Sequence, residues 1–170
     1  GRSYATNGYT DYASQAYPYG LDRTEKELCI AGSYTAIDPQ SGMEILKPCY
    51  WVNGIKKNLH VDNFSFSERC TASDVKWFNG AWYILGDYDL KPVIWKVKGT
   101  TIEVIILAPL DVSAVQFRKT SNLELYKNKL YIGGNRKKIK DDQFVYDTGY
   151  WVVNSNDEVD YQVLEDNLEY

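Results

Sequence analysis

One local pattern occurs three times in this chain, and that recurrence restricts the fold more than any other feature. The first copy reads Leu28-Cys29-Ile30-Ala31-Gly32-Ser33-Tyr34. The second reads Trp82-Tyr83-Ile84-Leu85-Gly86-Asp87-Tyr88, and the third Leu130-Tyr131-Ile132-Gly133-Gly134-Asn135. Each is a large apolar residue, then Cys or Tyr, then Ile, one further residue, and Gly. The glycines Gly32, Gly86 and Gly134 recur about every 50 residues, a spacing that belongs to repeat architectures.

A tryptophan segment follows each copy. These are Pro48-Cys49-Tyr50-Trp51-Val52-Asn53-Gly54, Pro92-Val93-Ile94-Trp95-Lys96-Val97-Lys98-Gly99, and Gly149-Tyr150-Trp151-Val152-Val153-Asn154-Ser155-Asn156. A closing strand is expected after each, at 55–59, 101–107 and 159–164. Opening strands are expected at 18–21, 75–78 and 123–126. Asn79-Gly80 separates two strand-like runs, which signals a tight hairpin because a type I′ turn needs positive φ at both central residues. Lys127-Asn128 occupies the same place in the third unit.

Each unit thus reads as four short antiparallel strands in a meander. Four-stranded sheets at this period predict an all-β, propeller-like packing of about three units, at about 17–62, 63–111 and 112–170. A β-sandwich is the alternative. The recurrent glycine is expected where a strand end is too crowded for a side chain. Residues 1–16 carry no clear period and read as an extended arm, so the whole chain forms one domain.

Composition narrows the function classes. The net charge is −4 and the pI about 5.1, so the chain lacks the positive field that a phosphate backbone requires, and no nucleic-acid partner is expected. No apolar run approaches the ~20 residues of a membrane-spanning helix. The chain starts Gly1-Arg2 without Met, which reads as a trimmed product whose export signal is gone. Aromatic residues make up 15%, with 15 Tyr and 5 Trp, which suits pleated half-buried surfaces and binding faces alike.

The pieces Ile30-Ala31-Gly32-Ser33-Tyr34, Pro48-Cys49-Tyr50-Trp51-Val52-Asn53-Gly54 and Trp77-Phe78-Asn79-Gly80-Ala81-Trp82-Tyr83-Ile84-Leu85-Gly86 carry a resemblance. They resemble the V-x-V-A-G-Y and Y-W-x-N-G repeats of uncharacterised secreted proteins and lipoproteins of Bacteroidetes and other bacteria. The resemblance covers most of the chain from about Tyr17. It implies a propeller-like β architecture and a secreted or envelope-anchored location, and supplies no catalytic residues. Three positions depart from the pattern: Asp87-Tyr88 follows Gly86, the second Trp segment lacks Asn-Gly, and Asn135 stands where Tyr is usual.

Candidate chemistry is sparse. The three cysteines Cys29, Cys49 and Cys70 leave at least one free thiol. A cross-strand disulfide between Cys29 and Cys49 stays open, beside the simpler reading of three small buried hydrophobes. One histidine, His60, makes no metal site, and neither a metal nor another cofactor is expected. Asp87 and Asp89 flank Tyr88, and Asp141, Asp142 and Asp147 lie beyond the third glycine. Such carboxylates serve glycosidic acid–base chemistry or calcium ligation when suitably placed, and form ordinary turns otherwise. Asn154, Asn156 and Glu158 only faintly match alternate-residue calcium ligation. The basic run Arg136-Lys137-Lys138-Ile139-Lys140 is followed at once by Asp141-Asp142.

The expected function is a non-catalytic binding or interaction module, taking a glycan or a protein through variable loops at 35–46, 87–91 and 135–148. The ligand-binding candidates are Tyr34, Asp87, Tyr88, Asp89 and Asn135, with Tyr34 and Tyr88 on an exposed face, while Trp51, Trp95 and Trp151 read as packing. The alternatives are a glycan-active enzyme using Asp87 or Asp89, and a structural assembly piece that forms a homo-oligomer.

Overall fold

The computed structural model describes residues 5–6, 9–10, 15–38, 41–59, 70–88, 91–107, 122–140 and 143–164. The described residues form fourteen strands and no helix. A short hairpin, β1 (Ala5–Thr6) with β2 (Tyr9–Thr10), lies within the expected arm and touches the first sheet at its second strand. Three four-stranded antiparallel sheets follow, each a meander in chain order. Sheet 1 holds β3 (Ala16–Arg23), β4 (Leu28–Ile37), β5 (Glu44–Val52) and β6 (Ile55–Asn58). Sheet 2 holds β7 (Cys70–Phe78), β8 (Ala81–Tyr88), β9 (Lys91–Lys98) and β10 (Thr101–Ile106). Sheet 3 holds β11 (Leu123–Tyr126), β12 (Lys129–Lys140), β13 (Gln143–Val153) and β14 (Val159–Val163).

The turns follow their residues. Asn79 and Gly80 have φ of 48° and 76°, and Asn53 and Gly54 have 50° and 83°, as a type I′ hairpin requires. Lys127 and Asn128 adopt the same geometry without a glycine, at 45° and 59°.

Sheet 2 lies between the other two, and alternation along its strands sorts the core. Trp82, Ile84, Val93, Trp95 and Val97 face sheet 1 and pack with Cys29, Ala31, Tyr50 and Leu59. Tyr83, Leu85 and Ile94 face sheet 3 and pack with Leu123, Leu130, Ile132, Trp151 and Val153. The opening strand β7 adjoins both β3 and β11. As edge strands they carry amides that no ladder satisfies, and carboxylates of the preceding sheet take them up. Asp22 accepts from the Trp77 amide at 2.7 Å, and Asp74 from the Leu123 amide at 2.8 Å. Equivalent bulges, between Pro18 and Gly20 and between Ala72 and Asp74, bend β3 and β7.

The recurrent glycine has a more specific cause than a crowded strand end. In every sheet it seats the indole of that sheet's own tryptophan. A Cβ on Gly32 would lie 2.9 Å from Trp51 Cζ3, one on Gly86 2.5 Å from Trp95 Cζ3, and one on Gly134 2.5 Å from Trp151 Cζ3. On Gly32 and Gly86 it would come closer still to the opening strand's carbonyl oxygens, those of Tyr17 and Thr71, so ring and backbone together exclude a side chain there.

The glycine does not end its strand. β4 runs on to Ile37, β8 to Tyr88 and β12 to Lys140, with pairing continuing from Gly134↔Gly149 to Lys140↔Gln143. Strand therefore takes up 35–37 and 44–46 of the first expected loop and all the described residues of the others, 87–88, 91, 135–140 and 143–148, so that the basic run 136–140 is part of β12.

The cysteines are free and buried. Cys29 pairs with Val52, and Cys49 with Gly32. Val52 and Cys49 are an odd number of residues apart, so the two thiols point to opposite faces of sheet 1 and form no disulfide.

The glycine seat is testable against its own neighbour. Gly86→Ala is expected to cost about 2 kcal/mol or more through overpacking, whereas Gly133→Ala, whose Cβ would meet nothing within 4 Å, should stay within about 0.5 kcal/mol of the parent. Urea midpoints at unchanged m-value measure both. Equal costs at the two sites would refute the seat.

Candidate functional site

The residues expected to bind ligand lie at equivalent ends of the second strands but in different sheets. Tyr34 is on β4, Asp87 and Tyr88 on β8, and Asn135 on β12, whereas Asp89 lies outside the described residues. The expectation that Tyr34 is exposed is corrected: it is only 6% exposed. Because β4 continues past Gly32, alternation turns Tyr34 onto the face that carries Trp51. Its ring there packs with Ala36 and Cys49, and the Lys56 ammonium stands 3.2 Å from the ring centroid. Tyr88 is half-buried against the core between sheets 1 and 2. Burial raises its phenol pKa, with Cys70 adding to the shift. Asp87 is half-buried and accepts from the Thr71 hydroxyl, its partner across the ladder. Asn135 is half-buried opposite Thr148. The four described positions are spread over three sheets.

Other candidates resolve in the same way. His60, Asp141 and Asp142 lie outside the described residues. The carbonyl of Asp147 accepts from the Tyr161 hydroxyl at 2.7 Å. Asn154 Oδ1 accepts from the amides of Asn156 and Glu158, and its Nδ2 donates to Glu158, so this set closes a turn. Among the described residues, no group of three or more His, Cys, Asp or Glu side chains is placed to hold a metal ion. The matched tryptophans serve packing. Trp95 and Trp151 are buried in the inter-sheet cores, and Trp51 is half-buried against Tyr34, Ala36 and Cys49.

The thiols are not poised as nucleophiles. Burial pushes Cys29 and Cys49 up to about 12, and Glu27 and Asp22 add to the shift at Cys29.

A different surface gathers binding chemistry, on the side of sheet 3 that faces away from sheet 2. Tyr126, Tyr131 and Tyr150 form a row on β11, β12 and β13, with centroids 6.2 and 6.0 Å apart. A shallow cavity of about 400 Å³ opens beside them, lined by Tyr131, Tyr150 and Val152 with Lys129, Asp160 and Gln162. A Cβ on Gly133, in the same face, would enter open space. Ring faces set among amide, carboxylate and ammonium groups can cover an apolar surface and hydrogen-bond at its rim.

The sequence carried a signal for this face in the repeat alignment. Tyr126, Lys129 and Gly133 stand where the second unit has Phe78, Ala81 and Leu85. Phe78 is 3% exposed and Tyr126 57%. The aligned face changes from apolar and covered to mixed and open.

The buried thiols set an alkaline limit on stability. A thiol whose pKa is raised by folding contributes stability that is full below its unfolded value of about 9 and is lost as pH rises toward the folded value. Each thiol should lower stability by up to about 1.4 kcal/mol per pH unit across that window. Urea midpoints from pH 8 to 11 should fall, and fall less steeply in Cys29→Ala Cys49→Ala. Parallel slopes for the two proteins would show that the thiols are not the cause.

No family model matches the chain, and no curated protein matches it. Among solved structures, the crystal structure of polysaccharide lyase Uly1 is similar over 81% of this chain, at 18% identity and a TM-score of 0.44. The chain spans 27% of the length of that protein.

Proposed function

We propose that this chain is a non-catalytic binding module of the bacterial cell envelope or exterior, and that the tyrosine face of sheet 3 is its binding surface. One observation carries the reading. The faces of sheets 1 and 2 equivalent to this one lie in the inter-sheet cores, whereas this one carries an exposed Tyr126 and half-buried Tyr131 and Tyr150 beside Lys129, Asp160 and Gln162. Tyrosine gives large contact area at low entropic cost, so such a face suits a sugar ring or a complementary protein surface. The envelope or exterior location is supported by the repeat resemblance, and the propeller-like arrangement by the opening strand β7 lying against both β3 and β11.

A glycan-active enzyme has less support. Asp87 is half-buried and engaged by the Thr71 hydroxyl across the ladder.

The test presents the native chain and a Tyr131→Ala Tyr150→Ala variant to an oligosaccharide array and to envelope proteins. Every specific ligand should lose about tenfold or more in affinity with the variant, whose circular dichroism and melting should stay near the parent's. Undiminished binding would move the surface elsewhere. Release of new sugar ends from a polysaccharide panel by the native chain would end the non-catalytic reading.

A further inference from the structure

Sheets 2 and 3 carry one side-chain constellation at the same register and complete it differently. In sheet 2, Lys96 on β9 stands between its two ladder partners, Tyr83 on β8 and Glu103 on β10. The Lys96 ammonium lies 5.9 Å from the centroid of the Tyr83 ring and 3.9 Å from a Glu103 carboxylate oxygen, and it pairs with Asp157. A lysine head is thus held by one tyrosine ring and two carboxylates, where cation–π and charge-assisted contacts act together.

In sheet 3 the same register places Val152 on β13 between Tyr131 on β12 and Asp160 on β14. The tyrosine and the carboxylate are kept, and a short apolar side chain stands where the lysine was. The cavity of about 400 Å³ lies over that position, with Tyr150 as a second ring and Glu158 as a second carboxylate in its lining. Lys129 lines it too but does not serve as Lys96 does. It is exposed, and it makes no ion pair among the described residues. Two carboxylates against one ammonium make the cleft complementary to positive charge, in a chain whose net charge is −4.

We propose that this cleft binds a lysine side chain of a partner protein, in the arrangement that Lys96 already makes within the molecule. The incoming ammonium sits between the Tyr131 ring and the carboxylates of Asp160 and Glu158, and its methylene stem lies along Val152 and Tyr150. The unbranched stem covers Val152 and the rings without bringing a polar group against them, whereas an amino sugar would set hydroxyls there. The inference rests on reading the tyrosine face as a binding surface and names the chemistry of its partner.

The test titrates the native chain with a short capped glycine peptide that carries one central lysine, and follows the amide shifts of Val152 and Asp160. Saturable binding with a Kd of about 1 mM is expected. The same peptide with an Nε-acetylated lysine should not bind, because acetylation removes the charge. Asp160→Asn should weaken binding about tenfold. Val152→Lys should abolish it, because the new side chain takes up the sheet 2 arrangement itself. Lys129→Gln should strengthen it about twofold at low salt, a sign that an acidic ligand would reverse. Val152 is half-buried and Asp160 and Lys129 are exposed, so these variants are expected to fold, which circular dichroism checks. The absence of a saturable shift up to about 10 mM peptide overturns the proposal. So does equal binding of the acetylated peptide, binding that Asp160→Asn and Val152→Lys leave intact, or tighter binding of glucosamine oligomers than of the lysine peptide. If one of these is met while another ligand is still lost in Tyr131→Ala Tyr150→Ala, this inference fails alone. Ligand binding indifferent to that double variant would sink the binding surface as well.

Discussion

Everything in this fold depends on β8 being buried from both sides. Its residues Ala81 to Gly86 are all buried, although their side chains alternate between two different cores. A strand with one wet face would show apolar and polar residues in turn, whereas Trp82-Tyr83-Ile84-Leu85 is continuous. Such a strand has no stable place at a surface, so sheet 2 must be flanked. The sheets on either side need supply only one covering face each. That asymmetry between a middle sheet and its neighbours sets the polarity of the remaining surfaces.

Apolar packing between sheets is non-directional, and it does not fix how far one sheet slides along the next. Polar contacts at the opening and closing strands supply that registration. Asp22 and Asp74 each reach forward to a backbone amide of the following opening strand. Gly20 makes room for this, because a Cβ there would run into Asp74. On the other side of the stack, Tyr83 donates to Asp157 at 2.7 Å and Lys96 pairs with the same carboxylate. Trp82 Nε1 likewise donates to Glu27 at 3.2 Å across sheets 1 and 2. Charge-assisted bonds of this kind are directional and strong when partly buried, so they select one offset among those the apolar surfaces would tolerate.

The units, their strand order and their turns are legible in the sequence because each rests on local chemistry. Asn79-Gly80 and Lys127-Asn128 mark hairpins by backbone conformation alone, and the opening strand at 123–126 coincides with β11. The burial of Tyr34 is not legible in that way. It follows from β4 running past Gly32, and strand length beyond the glycine is decided by pairing with Lys47, Leu46 and Ile45 on β5. A Gly in a strand reads as a break until the Trp51 ring that fills its place is known. The tyrosine face is hidden for a related reason. Tyr131 aligns with Tyr83, and identical residues in aligned positions suggest identical roles. The neighbours differ, Lys129 for Ala81 and Gly133 for Leu85, and among the described residues a sheet covers the Tyr83 face and none covers the Tyr131 face.

The same comparison ranks the three equivalent faces. Cys29, Ala31 and Tyr50 on sheet 1, and Tyr83, Leu85 and Ile94 on sheet 2, are buried in inter-sheet cores. Sheet 3 answers with Tyr131, Gly133 and Tyr150, rimmed by Lys129 and Asp160. Tyrosine hydroxyls and a charged rim keep such a face compatible with water until something covers it, as Leu or Ile in those places would not. Three aromatic rings with centroids 6.2 and 6.0 Å apart supply apolar contact area, and the polar rim lets that area stand beside water, the combination found in the core and rim of binding surfaces.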